Sequence, residues 1–194
     1  MLLQRLVICR ESNLLRFSIA VLACVCSLLL TPAPAAGDGP ASSVPELKAL
    51  SHYVGTWDVD VTSDVTPYES GESTARWILG GRFLEQSGSI ASADGKEVLE
   101  VKTLMTFDAN ENSYRMWTFT SDGESSEWTG TWDEGQRTMT SVRTGGGTTT
   151  TTTARFPKDG IEEWSMVLRD SGGEVLMELA GRNQRRKSPA TERP

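Results

Sequence analysis

Cysteine is nearly absent from the 194-residue chain, and the three present, Cys9, Cys24 and Cys26, all lie near its beginning. The rest of the chain therefore has no disulfide, no thiol nucleophile and no cysteine metal site, and its stability must come from an ordinary core. Histidine is scarcer still, with His52 alone. That excludes a Ser-His-Asp triad or a multi-histidine metal site built within one chain. Positive charge is thin as well: residues 36–181 hold 11 basic against 24 acidic side chains. Nucleic acid is a poor partner for such a body, because phosphate binding needs a basic surface. After residue 57 the chain also lacks connections of roughly a dozen residues, which parallel neighbours would need.

The one long apolar run, residues 17–30, is 14 residues, shorter than the roughly 20 that span a bilayer. Arg5, Arg10 and Arg16 flank it with positive charge, and Ala33-Pro34-Ala35 follows as a small-residue cleavage site. This pattern predicts an export signal over residues 1–35 and a mature chain beginning near Ala36, periplasmic or secreted. Lipid anchoring at Cys24 is the lesser reading, because Leu22 is bulky where a lipoprotein box has a small residue. The mature chain would be 159 residues with 16 basic and 25 acidic side chains, a net charge of −9. That length suits one domain.

Residues 36–45 form a linker rich in Gly, Ser and Pro, and the domain is expected over 46–181. Residues 46–54 can form a short helix with Leu47, Leu50 and Tyr53 or Val54 at helical spacing, placed to plug one end of a barrel. In Trp57-Asp58-Val59-Asp60-Val61 the apolar residues fall on one face and the acids on the other, a strand with one wet side. Further strands are predicted near 72–79, 82–90, 97–107, 113–120, 125–132, 137–143, 148–156, 161–169 and 174–181. Turn chemistry such as Gly80-Gly81, Asp94-Gly95, Asp122-Gly123 and Gly172-Gly173 separates them. About ten short strands with tight turns imply an all-β, up-and-down antiparallel barrel, since closure removes the edges. The threonine run 148–153 reads as a strand with a polar face, and whether that face is interior stays open. Residues 182–194 hold five basic side chains and only Glu192, and read as a disordered basic tail.

No catalytic motif emerges, and no cofactor or metal is implied. Asp58, Asp60 and Asp64 alternate on a strand instead of forming a calcium loop. Glu162 and Glu163 are strand neighbours on opposite faces and read as solvated charges. Arg76 and Arg82 bracket the Gly80-Gly81 turn, where Glu72 or Glu85 could lock the hairpin through a bidentate pair. If a ligand is bound instead, the candidate site residues are Arg76 and Arg82 with Tyr114, Trp117 and Trp128 as an amphipathic wall. The six tryptophans all sit in predicted strands and read mainly as core.

Gly55-Thr56-Trp57 after the Leu47/Leu50 helix, Trp77-Ile78-Leu79-Gly80-Gly81-Arg82-Phe83-Leu84, and Phe107-Asp108 with Tyr114, Trp117 and Gly130 together resemble an exported bacterial family. That family is defined by a domain of unknown function, type 1579, and the resemblance spans residues 46–181. More coarsely, Gly55-x-Trp57 is similar to the opening of lipocalins and other calycins, whose small barrels enclose an apolar ligand. That resemblance implies a packing role for Trp57 at the barrel end. Haem-binding relatives use a histidine within the barrel, and this chain has none after His52. The expectation is an exported barrel, monomer or homodimer, that binds a small apolar or amphipathic molecule. Two alternatives stand beside it. One is a cofactor-free enzyme using a buried carboxylate and Arg82, and the other a filled barrel acting as an interaction module.

Overall fold

The computed structural model describes residues 39–187. The signal segment expected over 1–35, the three cysteines and the end of the basic tail lie outside the described residues. Pro45 starts a 3₁₀ helix, Pro45–Tyr53, in the first-turn position where its missing N–H costs nothing. Ten strands follow: β1 (Gly55–Thr62), β2 (Tyr68–Ile78), β3 (Phe83–Ser92), β4 (Val98–Asp108), β5 (Ser113–Thr120), β6 (Ser125–Asp133), β7 (Thr138–Gly145), β8 (Thr148–Lys158), β9 (Ile161–Asp170) and β10 (Val175–Arg185). Each pairs antiparallel with its neighbour in sequence, and β1 pairs with β10 to close the barrel. The expected all-β, up-and-down barrel of about ten strands with a short helix is the observed fold.

β10 continues four residues beyond the expected strand end. Arg182 to Arg185, assigned from sequence to a disordered tail, are strand residues paired with β1. The ladder with β1 carries this extension, and just past its end Arg186 pairs with both Asp58 and Glu72 on the acidic outer face.

Cross-strand partners share a face, so Trp57 defines the inner set around the barrel. Trp57 pairs with Ser73, Ser73 with Gly88, and Gly88 with Val101. In the other direction Val59 pairs with Asn183 and Asn183 with Glu162. The threonine run is a strand, and Thr150 on it faces in and is only 2% exposed.

The helix plugs the end where β1 begins. Leu47 and Leu50 insert among Trp57, Leu84, Met139 and Phe156, all under 2% exposed. Each such aliphatic side chain contributes about 1.5–3 kcal/mol on burial. Side chains of the barrel also bind the plug's backbone: Trp57 Nε1 donates to the Tyr53 carbonyl at 2.7 Å, Tyr114 Oη to Glu46 at 2.7 Å and Arg185 Nη2 to His52 at 2.6 Å. The bonds to His52 and Tyr53 satisfy carbonyls of the last turn, which a helix leaves unpaired. The Arg185 guanidinium lies 4.7 Å over the Trp57 ring. Trp57 therefore packs at the barrel end, the role that the Gly-x-Trp resemblance implies.

Candidate functional site

Plug and strands fill one half of the barrel and leave the other half wet. Val59, Ile90, Val101, Met166 and Leu168 all belong to the inner set, yet each is only half-buried. A side chain that points into a closed barrel and still meets solvent marks an open interior. Between these residues and the plug lies a cavity of about 250 Å³ lined by Val59, Ile90, Val101 and Trp164 on its apolar side and by Ser73, Gln86, Thr103, Asn183 and Glu162 on its polar side.

Glu162 is the distinctive group. It is 6% exposed and inward-facing, which corrects the expectation of a solvated charge. Only Glu163, its neighbour on the opposite face, is exposed. Asn183 Nδ2 donates to Glu162 Oε2 at 2.8 Å, and Trp164 Nε1 donates to Asn183 Oδ1 at 3.1 Å. This chain holds the carboxyl in one orientation. Among the described residues no cation pairs with Glu162, and burial pushes its pKa up to about 7 against the smaller, opposing pull of the Asn183 hydrogen bond. Tyr53, on the plug beneath, is driven well above its ordinary range by burial and then by the Glu162 charge. Gly181 makes room for Trp164: a Cβ there would fall 2.5 Å from the indole ring and 2.1 Å from the Asp60 carbonyl oxygen.

The five site residues proposed from sequence do not converge. Arg76 lies on the outer face with its side chain 67% exposed, paired with Glu85 at 3.0 Å. Arg82 is exposed in the turn before β3, where its carbonyl accepts a bond from Thr106. Trp117 faces outward between Leu104 and Glu127. Tyr114 is inward but buried against the plug. Trp128 is inward and half-buried against the core, where Arg143 lies 5.0 Å over its ring and Ser126 accepts its indole N–H. Glu162, Asn183, Gln86 and Ser73 escaped the sequence reading.

A wider cleft of about 710 Å³ lies on the outer side of the plug and includes His52, Trp132, Glu134 and Asp159. Its polar groups satisfy one another: Trp132 donates to Glu134, and Arg137 pairs with Asp159 and approaches His52 Nδ1. Burial first, then the Arg137 charge, lowers the His52 pKa. His52 stacks between Trp132 and Phe156 at 5.2 and 5.3 Å, a packing role. Among the described residues no cluster of His, Cys, Asp or Glu is arranged to hold a metal ion.

Comparison with known proteins adds to this geometry. The profile of the family described as Protein of unknown function (DUF1579) matches residues 43–162, more than half of the chain. The chain belongs to the DUF1579 family. No curated protein matches it significantly. Among solved structures it is similar to Rv2717c from M. tuberculosis, with a TM-score of 0.58 at 17% identity over 74% of this chain and 99% of that one. It is also similar to the S-type phycobiliprotein lyase CPES from Guillardia theta, with a TM-score of 0.52 at 13% identity over 72% and 91% of the two chains. At such identities the likeness is one of fold. The DUF1579 match ends at Glu162, so Trp164 and Asn183 lie beyond it.

Proposed function

We propose that this DUF1579 protein is an exported carrier that holds a small apolar or amphipathic molecule in the open half of its barrel. The observation that carries this reading is the contrast between the two halves. Inner side chains beside the plug are buried to a few per cent, whereas those of the other half line a cavity of about 250 Å³ with one apolar and one polar wall. Polar groups held in place beside an apolar wall are what orients a small amphipathic ligand. The lyase of similar fold acts on phycobiliproteins, which fits a barrel that handles a small molecule. Export rests on the leader pattern of residues 1–35, and an intact mass beginning near Ala36 would support it.

Titration of methyl-labelled protein with linear alcohols of four to twelve carbons tests the cavity by NMR. Shifts should concentrate at Val59, Ile90 and Val101 and weaken once the chain outgrows the space. Shifts scattered over outer-face methyls, or none, would refute binding there.

A further inference from the structure

The two ends of the barrel differ in charge as well as in filling. The five connections at the open end, residues 63–67, 93–97, 121–124, 146–147 and 171–174, carry Asp64, Asp94, Glu97, Asp122, Glu124 and Glu174 against a single Lys96. The four at the plugged end carry three acids and two arginines. Five of the exposed apolar side chains, Val65, Val98, Phe119, Val175 and Leu176, also sit in or beside the connections of the open end. The entrance is therefore acidic with apolar points, a field that concentrates cations at the mouth.

Inside, Glu162 offers a second, independent sign of the same polarity. Asn183 occupies Oε2, while among the described residues Oε1 has no hydrogen-bond partner, and the side chain forms part of the cavity wall. Among the described residues no basic side chain is ion-paired with it, and the inward-facing Arg143 lies over the Trp128 ring. Asn183 on β10 and Tyr53 on the plug are its polar neighbours. Arg155, Lys158 and Glu163 are exposed, and Arg185 is engaged with the His52 carbonyl and the Trp57 ring. An ionised carboxyl buried without a cation is costly, so the group either keeps its proton or takes a cationic partner.

We propose that the ligand carries a protonated amine that pairs with Glu162 Oε1 while its short apolar part lies against Val59, Ile90, Val101 and Trp164. This deepens the carrier reading and rests on it. Near pH 6 the empty cavity holds Glu162 largely protonated, so docking an ammonium group ionises the carboxyl and passes its proton to the buffer. No bond other than that O–H breaks.

Calorimetry of the full chain with n-hexylamine and n-hexanol, matched in size, tests the proposal. Hexylamine should bind at least tenfold more tightly than hexanol. In buffers of different ionisation enthalpy it should release close to one proton per ligand at pH 6 and almost none at pH 8.5. Glu162→Gln should bring hexylamine affinity down to that of hexanol measured on the same variant, and should abolish the proton release. The wild-type comparison needs no variant, so a folding defect in the substituted protein does not block the test. Equal affinity for the two ligands, or a preference that survives in Glu162→Gln, would overturn the amine assignment and leave the carrier reading standing. Failure of both ligands to bind at millimolar concentration would overturn the two together.

Discussion

Replacing Glu162 by Gln separates the charge of the cavity carboxyl from its shape. Burial raises this group to about 7 from an ordinary 4.5. Because the folded-state value is the higher one, the folded protein keeps a proton that the unfolded chain has lost. Stability therefore falls as pH rises from about 4.5 and levels off above about 7. At about 1.4 kcal/mol per pH unit, the whole window amounts to about 3 kcal/mol. Gln stays neutral, and its carbonyl still accepts the Asn183 N–H. Glu162→Gln should thus match the wild type within about 1 kcal/mol at pH 4.5 and exceed it by about 3 kcal/mol at pH 8.5. For a domain of this size that is roughly 6–12 °C in Tm. Urea denaturation of both proteins at both pH values measures the gap, and the shared titration of exposed carboxylates cancels in the difference. A gap of the same size at both pH values would refute the reasoning, because it would mean that Glu162 titrates as an ordinary surface glutamate.

Other parts of the structure make separate predictions. Leu50→Ala empties a fully buried position of the plug and should cost about 2–5 kcal/mol in urea melts, with faster hydrogen exchange across residues 45–53. Gly181→Ala drives a Cβ into the Asp60 carbonyl and the Trp164 ring. It should destabilise by about 1–3 kcal/mol and shift Trp164 fluorescence. Arg76→Ala removes an exposed partner of Glu85, which keeps Lys102 at 2.9 Å. Its effect on denaturation should stay under about 1 kcal/mol, and hexylamine binding should not change.

Much of the fold was legible because its signals are local and repeat. The alternation of Trp57, Val59 and Val61 with Asp58, Asp60 and Thr62 is the inner and outer face of β1 as observed, and glycine pairs mark several of the turns. The site was less legible, since it depends on which of two faces a residue takes and on pairings distant in sequence. Arg76 and Arg82 drew attention by rarity in an acidic body, but their strand and turn positions turn them outward. Glu162 was hidden by Glu163, since adjacent acids look like solvent-facing charge. The signal that could have found it is the series Glu162, Trp164, Met166 and Leu168, which period two places on one face with the apolar residues. Asn183 was hidden by the arginines around it. The ladder with β1 and the pairing of Arg186 with Asp58 and Glu72 are long-range, so composition alone made a strand end look like a tail.

Native and denaturing mass spectra of the protein purified from its producing cells test most directly whether the barrel is a container. A discrete excess mass in the native spectrum that vanishes on denaturation, and that Ile90→Trp abolishes by filling the cavity, is the expected result. Identical apo masses in both spectra, unchanged by Ile90→Trp, would contradict it.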